Sequence, residues 1–315
     1  MRSIFGLCVG ISDVLFKEDL MEASKFFRLC AAAFACGAMF SSANALLLYE
    51  NSAGSDMASF DLTGAQVKTY TQTKGNGRGV VVVGDVVYYT TADSGNVYKR
   101  KASDNTDLGV AFTVAGASGL QAITYDGTDF WVGDYSGTTK AYLVNSSTGA
   151  LKKTITLSGT GTGIEGFYDG LEYFNGKLIA NKYDGGFARA GGNQYSVYDL
   201  DGNVLTANFI NTNGHGNGTG IAFDGSDFYI ADIFNNKISK WNGTTGAYMS
   251  NFTLQGSHNF VEDLSFDFAG RVDTCGGPNQ PPCIVPGIPE PSTYALMGLG
   301  LAGIGFAARR RKTSL

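Results

Sequence analysis

Between Leu46 and Asp273 the chain contains no proline and no cysteine. All six prolines fall between Pro278 and Pro291, and the five cysteines lie at Cys8, Cys30 and Cys36 or at Cys275 and Cys283. The central stretch therefore has no disulfide or proline-stiffened loop to hold it and must rest on a packed core. Its length of about 230 residues is enough to build one. Positive charge is scarce: 23 Lys and Arg stand against 28 Asp and Glu, for a net charge of −5. Without a basic face the chain is no nucleic-acid binder. Nothing is spaced as a Ser-His-Asp arrangement, and "GTGTGIEG" lacks the Lys and following helix of a phosphate cradle.

The ends carry their own signals. Met1 to Leu20 include Asp13, Glu18 and Asp19 and fit no targeting segment. From Met21 onward, Lys25 and Arg28 form a basic start and Leu29 to Phe40 an apolar stretch. Ala43 and Ala45 then flank a small-x-small cleavage site. Met21 is the candidate start, residues 1–45 the signal region, and the exported chain begins near Leu46. At the other end, Ser292 to Ala308 are uncharged. As a helix they span roughly 25 Å, a short single crossing of a bilayer. Arg309, Arg310, Arg311 and Lys312 follow, where long basic side chains snorkel to headgroups and mark the cytoplasmic flank. This orientation places the tail inside the inner membrane and the body outside. A buried core helix is the alternative, and it leaves the basic cluster unexplained. Residues 274–291 read as a Pro-rich, semi-rigid linker. Within it Cys275 and Cys283 are expected to close a local disulfide in an oxidising compartment, a zinc pair being the weaker reading.

Pro289, Glu290 and Pro291, then the apolar span, then Arg309 to Lys312 resemble, in that order, the PEP-CTERM sorting tail of Gram-negative exported proteins. The resemblance covers 289–312 and speaks for sorting, not for the body. It implies processing by an exosortase, an integral-membrane cysteine peptidase-like enzyme. It also implies a cargo destined for the cell surface or an exopolysaccharide matrix.

The body repeats. "YDGTDFWVGDYSGTTKAYLVNSSTGALKKTITL" from Tyr125 aligns with "FDGSDFYIADIFNNKISKWNGTTGAYMSNFTL" from Phe223 almost without gaps. The turn glycines Gly84, Gly127, Gly176 and Gly225 stand 43, 49 and 49 residues apart. Each unit reads as four strands joined by Asp-Gly, Asn-Gly or Thr-Gly turns, the period and content of a β-propeller blade. The segment from Leu46 has the last three strands of a blade, and "VEDLSFDFAGRV" from Val261 supplies the missing first. The expected fold is all-β: a propeller of five four-stranded blades closed by N- and C-terminal strands, plus one C-terminal transmembrane helix. Four or six blades, or a β-solenoid, are the alternatives.

Candidate chemistry lies at one register. His215 and His258, the only histidines, each stand nine residues before the repeat aspartates Asp224 and Asp267, and Asp126 and Asp169 are taken as the equivalent anchors. Gln121, Glu165, Glu262 and Asp263 share that register. Imidazoles and carboxylates converging on a channel mouth would hold a divalent metal, Ca²⁺ or Zn²⁺, with His215, His258, Glu165, Glu262 and Asp263 as ligands. The opposing reading leaves both histidines solvated in Gly-rich loops. "DGTD" and "DGSD" read as turns rather than calcium loops. Trp131, Tyr135, Tyr229, Phe234 and Trp241 recur along the blades as core, or as platforms for sugar rings. The functional expectation is a non-catalytic module that binds exopolysaccharide or a surface protein. The alternative is a metal-dependent, lactonase-like hydrolase.

Overall fold

The computed structural model describes residues 46–267 except 55, 73, 136–138, 158–167, 183–193, 257 and 259. These all belong to one compact unit, Leu46–Val285. The signal region, linker, candidate disulfide, sorting motif and transmembrane segment, and Glu165, lie outside the described residues. Among the described residues no helix is long and apolar enough to cross a membrane.

Among the described residues, twenty strands form five antiparallel sheets of four. One blade contains β4 (Gly77–Val83), β5 (Val86–Thr91), β6 (Asn96–Lys101) and β7 (Asp107–Thr113). The next contains β8 (Leu120–Tyr125), β9 (Asp129–Asp134), β10 (Lys140–Asn145) and β11 (Leu151–Thr156). The third runs β12 (Leu171–Phe174), β13 (Lys177–Lys182), β14 (Gln194–Tyr198) and β15 (Val204–Asn211), and the fourth β16 (Gly218–Phe223), β17 (Asp227–Asp232), β18 (Lys237–Asn242) and β19 (Tyr248–Thr253). The last is composite. β20 (Val261–Phe266) pairs with β1 (Leu48–Ser52), followed by β2 (Met57–Phe60) and β3 (Gln66–Tyr70). The two ends of the body thus close a five-bladed propeller as the repeat count requires, which removes two open sheet edges.

Burial follows strand order. β8, β16 and β20 are buried along most or all of their length, whereas β7, β15 and β19 are mostly exposed. The apolar side chains form five clusters, one per blade interface. Val81 and Val97 meet Ile123 and Val132, while Ala222 and Ile238 meet Leu48 and Leu264 across the closure. Small residues let the inner strands approach: a Cβ on Gly220 would lie 2.2 Å from the Cα of Asp263. Turns match their sequences. Asn175 and Gly176 both adopt positive φ in a two-residue hairpin loop, as a type I′ turn requires. In "DGTD" and "DGSD", Asp126 Oδ1 and Asp224 Oδ1 accept the amides of Thr128 and Asp129, and of Ser226 and Asp227. These aspartates are turn formers.

Candidate functional site at the channel mouth

All five inner strands enter from the same end, and three are bulged there. Gly77 opposes Thr91 while Val80 opposes Tyr89. Leu120 and Ile123 oppose Asp134 and Val132, and Gly218 and Ile221 oppose Asp232 and Ile230. Each bulge sets three steps of the inner strand against two of its neighbour, which re-aims the side chain within it. The residues at this level are Arg78, Gln121, Asp169, Thr219 and Glu262.

Four of them interlock. Arg78 Nη1 pairs with Glu262 Oε1. Arg78 Nη2 donates to Asn76 Oδ1 at 3.0 Å and to Tyr135 Oη at 3.1 Å, and the guanidinium lies 4.8 Å from the Tyr135 ring centroid. Gln121 Nε2 donates to Asp169 Oδ1 at 2.7 Å. Thr219 instead spends its hydroxyl on the Val261 carbonyl at 2.8 Å. Burial and then the Glu262 charge push the Asp169 carboxyl up to about 8, with Arg78 pulling the other way. Burial likewise raises Glu262 against the pull of Arg78. At neutral pH Asp169 therefore tends to keep its proton, since two carboxylates beside one guanidinium leave one charge uncompensated. Arg78 Nε and Gln121 Oε1 are buried without a hydrogen-bond partner among the described residues.

One level deeper the acids serve as staples between blades. Asp263 Oδ2 accepts the Val80 amide at 3.1 Å. Glu172 accepts the Thr124 hydroxyl at 2.8 Å and the Phe223 amide at 3.3 Å.

The proposed metal ligands are dispersed. His215 stacks on Tyr248 with ring centroids 3.8 Å apart and meets Trp241 edge-on. His258 Nδ1 lies 3.0 Å from Glu50 Oε1, its Nε2 lies 3.3 Å from Gln66 Oε1, and its ring meets Phe60 edge-on. Among the described residues the two imidazoles have no partner in common. Glu262 faces Arg78, whose charge opposes a cation, and Asp263 is tied to backbone. Among the described residues no group of three or more His, Cys, Asp or Glu side chains is assembled for a metal. Of the aromatic candidates, Trp131, Tyr229 and Trp241 are core, Tyr135 is half-buried at the mouth, and Phe234 is exposed. Asp169 is not equivalent to Asp126 and Asp224: it precedes β12 and belongs to the mouth, whereas they follow their inner strands. Arg78 was missed altogether, although "GNGRG" places it six residues before Gly84, as Gln121 stands before Gly127 and Thr219 before Gly225.

Residues 287–312 match the PEP-CTERM protein-sorting motif. The motif marks an exported, membrane-anchored protein that an exosortase processes. No curated protein matches the chain. Among solved structures, a crystal structure of a nidogen/laminin complex is similar at 12% identity and a TM-score of 0.48, over 71% of this chain and 98% of that one. The Myxococcus xanthus glutaminyl cyclase is similar at 14% identity and 0.40, over 62% and 72%. The computationally designed Ika8 protein is similar at 13% identity and 0.38, over 70% and 74%.

Proposed function

We infer that the propeller is a non-catalytic binding module of the cell surface or extracellular matrix, holding exopolysaccharide or a surface protein. Its body, about 46–273, stands outside the inner membrane on the 274–291 linker, stapled by Cys275 and Cys283, until the tail is processed. The observation that carries this reading is the sorting motif at 287–312 behind a propeller whose charged mouth groups pair with their neighbours. Arg78 holds Glu262 and Gln121 holds Asp169. Deleting Pro289 to Leu315 should release the protein from the envelope, and the full chain purified in detergent should bind the producing cells' exopolysaccharide in EDTA. Envelope retention after deletion, or no binding, counts against the reading.

A second reading, hydrolysis at the mouth, is favoured by the adjacent raised carboxyls of Asp169 and Glu262. In its metal-dependent form, replacing His215 and His258 together should strip bound metal. Unchanged metal content removes that form.

A further inference from the structure

Two residues before the mouth level, each of four blades has a position with the same backbone role. The carbonyls of Asn76, Gly119, Asn217 and Phe260 accept the amides of Ala92, Tyr135, Ile233 and Ala53, each the first residue past the blade's second strand, at 3.0–3.1 Å. At Asn76 φ is 59° and at Phe260 it is 60°. Gly119 and Asn217 hold the position without a positive φ. Asn76 is a residue type that tolerates left-handed backbone, and Phe260 is not. A bulky ring in this conformation is strained, and strain of this kind persists mainly where function needs it. Core packing does not compensate, since Phe260 is 48% exposed.

A second ring stands beside it. Phe234, 42% exposed, meets Phe260 edge-to-face with centroids 6.1 Å apart. Its loop is clamped by Asp232, whose Oδ1 accepts the Phe234 amide at 3.1 Å and whose Oδ2 accepts Asn235 Nδ2 at 2.8 Å. Asp232 pairs with Gly218 at the mouth end of β16, so both rings lie at the mouth end of the propeller. Phe260 is within about 7 Å of Glu262 along the chain.

We propose that Phe234 and Phe260 form a platform for one sugar unit of a surface polysaccharide, on the same end of the propeller as the Arg78–Glu262 mouth. Two rings are far too small for a protein interface, which needs about 800 Å² from each partner. Set nearly perpendicular, the rings offer one face and one edge to the apolar side of a single sugar ring. The rings are presented on a clamped turn and on the residue that leads directly into the closing strand, so little ordering is lost on binding.

The inference rests on the matrix-binding reading above, and one experiment separates their failures. Full-length protein in detergent is titrated onto immobilised exopolysaccharide from the producing cells, with thermal unfolding measured on the same samples. Phe260→Asn installs the residue that two other blades use. It should keep or raise the Tm while weakening binding about tenfold, and Phe234→Ala should weaken binding similarly. Phe260→Tyr, which keeps the ring, should stay within about twofold of the parent. If the parent binds and Phe260→Asn and Phe234→Ala bind equally well, the platform is wrong and the matrix reading stands. If the parent does not bind, the matrix reading falls and takes the platform with it.

Discussion

His258 Nδ1 lies 3.0 Å from Glu50 Oε1, joining residues 208 positions apart. The contact spans the closure seam, because Glu50 lies on β1 and His258 on the turn that leads into its partner β20. The ring of blades is thus held shut by strand pairing and by buried titratable groups together.

That seam makes stability depend on pH in a definite direction. The Glu50 bond raises the imidazole of His258 above its ordinary value. Burial raises Glu50, Asp169 and Asp263 above the usual carboxylate range. In every case the folded chain holds protons that the unfolded chain would release, so stability falls as pH rises. The His258 contribution is fully present below about pH 6.5 and is lost as pH rises through the raised value. The Asp169 effect runs from the ordinary carboxylate range up to about 8. The Tm should fall between about pH 5 and pH 9, and less steeply in His258→Gln. A Tm that climbs over that interval contradicts the assignment.

At the mouth, Arg78→Met leaves Glu262 buried without its cation. Breaking such a pair from one side costs about 3–5 kcal/mol. Asp169→Asn should cost far less, because the carboxyl already favours its neutral form. The double variant Arg78→Met, Glu262→Met should be more stable than Arg78→Met alone. Denaturant unfolding of the three proteins checks the ordering, and a double variant weaker than the single one refutes it.

Close approach of the inner strands predicts a backbone effect at Gly220. A methyl group there meets the Cα of Asp263, which no rotamer change relieves. Gly220→Ala should destabilise by about 3 kcal/mol. Gly127, whose Cβ position is open but whose φ is 94°, should lose less on the same change, about 1 kcal/mol. Equal Tm shifts would mean that inter-strand packing is not the limiting contact.

The dispersed histidines predict indifference to chelation. EDTA should leave the Tm within experimental scatter, and His215→Phe should keep the stack on Tyr248 and stay near parental stability. A fall of several degrees in EDTA would place a structural cation in the body.

Blade number, closure and turn positions were all legible in the sequence. A repeat written in Asp-Gly and Asn-Gly turns dictates local backbone, and a three-strand start with a one-strand end has only one way to complete a sheet. Side-chain direction was not legible. His215 and His258 share a register, yet one stacks on Tyr248 and the other bonds Glu50, because loops before a strand do not inherit its alternation. Asp169 was misplaced because Asn175, not an Asp, stands before Gly176, and the nearest Asp upstream is Asp169 at the start of the blade. The tertiary structure alone decided that Arg78 and Glu262, at opposite ends of the body's sequence, meet across the mouth. Only ring closure brings β4 and β20 side by side, and only the bulge in β4 gives Arg78 its place there.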